Sequence, residues 1–142
     1  MRIRSLALIT QLCLAGMVPL AAGCNDDNNE AAGPDANLPV VGTWTATSLM
    51  VNGEDLVAKG MIMNVTFDDS GVYVFHVVGD LLGLCGDDTE CNITGDWTGT
   101  DNEVTLNPGE TPTTIDYVTS GDTLTMTGTL AEQPTTIVFQ KL

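Results

Sequence analysis

The side chains in this 142-residue chain whose type and spacing suggest chemistry fall in three places. Cys24 presents a thiol directly after the small residues Ala22 and Gly23, at the end of an apolar run. Cys85 and Cys91 flank the segment Gly86-Asp87-Asp88-Thr89-Glu90, close enough in sequence for an oxidising compartment to join them. Such a small ring contributes about 2 kcal/mol through loop-closure entropy. The competing use of these residues is a metal site built from Asp87, Asp88 and Glu90. Zinc wants a histidine or a second cysteine pair nearby, and calcium a fuller oxygen set, so no metal is expected. His76 is the single histidine; it alternates with Val74 and Val78, away from the Tyr73, Phe75 and Val77 face. Catalysis would need a nucleophile and an orienting partner beside it, and no motif supplies them. There is also no Gly-x-Ser-x-Gly, phosphate loop or metalloprotease helix, so neither enzyme activity nor a cofactor is expected.

The surroundings of Cys24 set the address. Met1-Arg2-Ile3-Arg4 supplies positive charge, residues 6–18 are apolar, and Pro19 breaks any helix. That order describes an export signal, and the run falls short of the roughly 20 apolar residues that span a bilayer. Leu20-Ala21-Ala22-Gly23-Cys24 resembles the lipobox of bacterial lipoproteins, with Leu20 one place further from the cysteine than usual. The resemblance implies that residues 1–23 are a signal peptide and that Cys24 carries the lipid. It places the chain at the bacterial cell envelope, on the periplasmic side of the inner or outer membrane or at the cell surface. Two or more acyl chains would anchor it stably. The alternative is ordinary cleavage near Ala21-Ala22, with Cys24 incidental. Residues 24–37 hold no large apolar side chain and read as a flexible acidic tether, about 40 Å long at full extension.

Charge excludes one class of partner. Lys and Arg number 4 against 19 Asp and Glu, a balance of 4 − 19 = −15. Removing Arg2 and Arg4 with the signal makes it 2 − 19 = −17. So acidic a surface repels phosphate backbones, so nucleic acid is excluded, and it favours a soluble monomer.

Residues 38–142 form the domain. Short Val, Ile, Thr and aromatic runs alternate with Gly, Asp and Asn turns, which gives eight strands near 43–51, 61–67, 72–78, 92–99, 103–107, 113–119, 123–130 and 135–142. Hairpins in sequence order predict an all-β, eight-stranded antiparallel up-and-down barrel; a β-sandwich is the alternative. In the first strand, alternation puts Trp44, Ala46, Ser48 and Met50 on one face. The segment Val41-Gly42-Thr43-Trp44 resembles the Gly-x-Trp start of lipocalins and of bacterial lipocalin-like lipoproteins, and residues 120–142 resemble that bacterial group's final hairpin. The resemblance implies a lipocalin-like barrel in which Gly42 and Trp44 mark a plugged end.

Met50, Met61, Met63, Phe67, Phe75, Tyr117 and Met126 fall on faces expected to line the barrel. Methionine adapts to irregular ligands, and a barrel of this size holds one small molecule or is filled by its own side chains. Two functions follow. One is a tethered barrel that binds a small hydrophobic ligand; the other is a structural or protein-interaction lipoprotein with a filled barrel. Residues 52–60 are open to three roles: a lid, a plain connection, or an extra hairpin turned at Asn52-Gly53.

Overall fold

The computed structural model describes residues 34–107 and 111–142. The signal segment, Cys24 and the tether as far as residue 33 lie outside the described residues. Nine antiparallel strands follow one another: β1 (Gly42–Val51), β2 (Glu54–Asp55), β3 (Ile62–Phe67), β4 (Val72–Val78), β5 (Glu90–Gly99), β6 (Glu103–Leu106), β7 (Thr113–Ser120), β8 (Thr123–Leu130) and β9 (Gln133–Lys141). From β3 to β9 each strand pairs with the next, and β9 returns to pair with β1. Eight strands therefore close into an up-and-down barrel, and the expected sandwich alternative does not form. The ninth strand, β2, is a two-residue spur on β1. It resolves the reading of residues 52–60 as an extra hairpin: Asn52 and Gly53 both take positive φ, 51° and 84°, which asparagine tolerates and glycine, lacking a Cβ, adopts freely.

The spur has a physical anchor in Asp55. Its Oδ1 accepts the backbone N–H groups of Leu49, Val57 and Ala58, and its Oδ2 accepts the Ser48 hydroxyl. These donors, led by the Leu49 N–H, hold the carboxyl below its ordinary pKa. Leu56, next in sequence, turns into the core.

Strict alternation positions most of the core. Tyr73, Phe75 and Val77 point inward from β4, Leu124 and Met126 from β8, and Ile137 and Phe139 from β9. β1 departs from the expectation. Ala46 pairs with Phe139, but Ser48, two residues on, pairs with Val138, so Thr47 is an extra residue in the ladder. One inserted residue reverses the side-chain parity beyond it. Trp44 and Ala46 are buried as expected, but past the bulge Leu49 and Val51 are the buried residues. Met50 is 37% exposed on the outer face, so the sequence expectation for it is corrected.

One end of the barrel is solid. Trp44, Phe67, Trp97, Tyr117, Leu124 and Phe139 are all at most 2% exposed, and Leu38 and Val40 of the entering chain are buried with them. Every ring polar group here finds a main-chain carbonyl. Trp44 Nε1 donates to Val40 (2.8 Å), Trp97 Nε1 to Asp68 (3.0 Å) and the Tyr117 hydroxyl to Thr100 (2.7 Å). Burial, reinforced by the Asp101 charge, raises the Tyr117 pKa. The chain is already fixed before residue 38: Pro34 lies against Gly71, and the Asn37 N–H donates to Asp35 Oδ1. Pro34 thus touches the barrel ahead of Leu38.

Trp44→Ala should cost about 3–5 kcal/mol, a large share of the roughly 5–15 kcal/mol that a domain of this size holds. Chemical denaturation monitored by far-UV circular dichroism measures it. A loss below about 1 kcal/mol would contradict the role of Trp44 as a packed plug.

Candidate ligand site

The other half of the barrel is not filled. The β4–β5 ladder runs through seven pairs, Val72↔Asp96 to Val78↔Glu90. The β5–β6 ladder has three, Trp97↔Leu106 to Gly99↔Val104. The first half of β5 therefore has no β6 partner among the described residues, and the wall parts there. Behind this opening lies a cavity of about 170 Å³. Met63, Phe75, Ile93, Leu106 and Leu130 supply most of its apolar wall, and Leu84 lines it from the β4–β5 connection.

That connection, residues 79–89, is built to hold Leu84 in place. Asp80 accepts the N–H of Leu82 at Oδ1 (2.9 Å) and that of Cys85 at Oδ2 (2.7 Å). The Gly79 N–H donates to the Thr89 carbonyl (2.7 Å), and a disulfide joins Cys85 to Cys91 at the start of β5. The loop is thus tied at both ends, with Leu82 and Leu84 against the core.

The polar part of the lining is neutral. Tyr73 and Asn107 hydrogen-bond to each other, with Asn107 Nδ2 donating to the Tyr73 hydroxyl oxygen at 3.1 Å. Both line the cavity, as do Thr113 and Thr129. Asn107 ends β6 with φ of 50°, a backbone conformation asparagine tolerates, and its own N–H donates to the Asp96 carbonyl. The pair occupies the space left by a missing side chain. A Cβ on Gly95, the cross-strand partner of Tyr73, would collide with the Asn107 Oδ1 and the Tyr73 ring.

No protein-family model matches the chain, and no curated protein does. Among solved structures, the crystal structure of Echinococcus granulosus fatty-acid-binding protein 1 is similar. The sequences are 16% identical, the likeness covers 72% of this chain and 96% of that one, and the TM-score is 0.39.

Of the residues singled out from the sequence, Met63 and Phe75 line the cavity. Met126 lies beside it, in a groove shared with Phe75, Ile115 and Ile137 that retains about 10 Å³. Met61, Phe67 and Tyr117 are buried in the packed core and do not line the cavity, and Met50 faces outward. Gly42 and Trp44 sit at the solid end, where Lys141 Nζ lies 5.3 Å from the Trp44 ring. His76 points outward, its Nε2 3.2 Å from Glu90 Oε1, and does not line the cavity. Among the described residues no three His, Cys, Asp or Glu side chains are grouped to hold a metal.

Sequence reasoning passed over Tyr73, Asn107, Leu84 and Ile93. Tyr73 and Ile93 were on the inward alternation sets already. Asn107 and Leu84 lie outside any alternation, so their role depends on where the strand ends and the loop folds.

Gly95→Ala should destabilise the domain by about 1–3 kcal/mol, because the Tyr73–Asn107 pair must move to admit a methyl group. Urea unfolding reads this directly, and an unchanged midpoint would contradict the close fit.

Proposed function

We propose that this chain is a lipid-anchored envelope protein whose barrel holds one small apolar molecule. The cavity carries the reading. Its volume of about 170 Å³ is close to the roughly 150 Å³ of protein cavities that take up benzene or xenon, and Met, Phe, Ile and Leu side chains supply its apolar wall. It falls below the roughly 300 Å³ at which drug-sized pockets begin, so the guest is small. The tethering half of the proposal rests on Leu20-Ala21-Ala22-Gly23-Cys24 and the acidic segment behind it.

The second reading, a filled barrel acting through its surface, draws on the solid half around Trp44 and Trp97. Toluene separates the two. In methyl NMR of the full chain carrying Cys24→Ser, toluene should shift the Met63 methyl resonance and leave Met61 in place. Leu84→Trp, which fills the cavity, should remove the response. No shift at Met63 in toluene-saturated buffer would favour the filled barrel.

Anchoring has its own test. Cys24→Ser should abolish incorporation of labelled palmitate and release the protein from membranes. Continued labelling would overturn the assignment of Cys24.

A further inference from the structure

The cavity contains hydrogen-bonding groups but no positive charge, and this sets the chemical class of its guest. Beyond Arg2 and Arg4 the sequence holds two basic residues besides His76, namely Lys59 and Lys141. Both lysines are engaged elsewhere. Lys59 Nζ lies 2.7 Å from Glu54 Oε2 on the spur, and Lys141 covers Trp44 at the solid end. His76 is on the outer wall beside Glu90. A carboxylate or phosphate entering the cavity would find no counter-charge among the described residues, and burying an unpaired anion carries a heavy penalty. The excess of 19 acidic over 4 basic residues adds long-range repulsion.

Tyr73 and Asn107 suit a neutral group instead. Two contacts join the pair: Asn107 Nδ2 donates to the Tyr73 oxygen at 3.1 Å, and the Tyr73 O–H faces Asn107 Oδ1 at 3.4 Å, long enough that a guest can compete for the O–H as donor and for a lone pair of Oδ1. If the amide is turned so that the tyrosine donates, the pair keeps an acceptor on Tyr73 and donors on Asn107. In either arrangement one donor and one acceptor lie side by side in a neutral wall whose other polar side chains are Thr113 and Thr129. A hydroxyl or an amide can meet both, and a carbonyl can meet the donor.

Resting on the reading of the cavity as a ligand site, we infer that it selects uncharged molecules of about the size of a substituted benzene that carry one hydrogen-bonding group. It discriminates against carboxylates of the same shape. Tyr73 and Asn107 read the polar group, and Met63, Phe75 and Leu130 hold the apolar body.

Three probes of matched shape test this: toluene, benzyl alcohol and benzoate, titrated by methyl NMR into the full chain bearing Cys24→Ser at neutral pH. Cys24→Ser keeps acyl chains from competing for the site. Benzyl alcohol should bind roughly a hundredfold more tightly than benzoate. Tyr73→Phe, which keeps the ring, and Asn107→Gly, which keeps the left-handed backbone, should each weaken benzyl alcohol about three- to tenfold. Toluene, which has no hydrogen-bonding group, should be weakened less than benzyl alcohol by each variant. Benzoate binding as well as benzyl alcohol would overturn the inference, and so would both variants leaving benzyl alcohol unaffected. In those cases toluene still binds and the cavity reading stands. Failure of all three probes would remove both.

Discussion

Pairing of the last strand with the first is the constraint on which the rest of the molecule depends. β9 meets β1 from Trp44↔Lys141 to Val51↔Thr135, so the sheet closes on itself, and among the described residues the main unpaired stretch is the first half of β5. Closure also explains the bulge at Thr47. β1 must serve β9 along its length while its other edge passes from β3 to the β2 spur, and an inserted residue gives the local twist and bend for that change. The reversed parity then turns Leu49 and Val51 inward beside Leu56 of the spur, and it leaves Met50 outside.

Inside the closed wall, side-chain volume is divided unevenly. Trp44, Trp97, Phe67 and Tyr117 crowd one end, each polar ring atom satisfied by a carbonyl of the entering chain or a turn. Phe67 packs edge-on to Trp97, with ring centroids 5.2 Å apart, and more loosely to Phe75 at 6.5 Å. Beyond them, Met63, Phe75, Ile93 and Leu130 surround space that this cluster does not have, and the Tyr73–Asn107 pair takes up the room over Gly95. The short β5–β6 ladder gives that space a way in, and the disulfide-tied loop gives it a roof. The packed cluster and the cavity thus adjoin inside one barrel, with Tyr73 beside Phe67 and Leu106 beside Trp97 across neighbouring strands.

The fold was legible because nearly every strand keeps a period of two and most turns carry Gly, Asp or Asn at the bend. Tyr73/Phe75/Val77 and Leu124/Met126 needed no tertiary information. The site was legible only in part, since a cavity is space left over, and periodicity reports which face a residue takes and not how well that face is filled. Met61 and Met63 are indistinguishable by pattern, yet only Met63 reaches the cavity. Met50 failed for a different reason: a bulge shifts register through pairing with a strand some 90 residues away, which local sequence does not announce. Tyr73 and Asn107 come together across 34 residues over a glycine that looks unremarkable in its own strand.

One part of this barrel is packed solid, and another leaves a cavity of about 170 Å³ with room for a small apolar guest. Diffraction from crystals pressurised with xenon probes this division, because xenon settles against apolar walls without needing a specific chemical group. Xenon density is expected among Met63, Phe75 and Leu130 and none among Trp44, Phe67 and Trp97. A cavity without xenon, or xenon lodged at the tryptophan end, would contradict it.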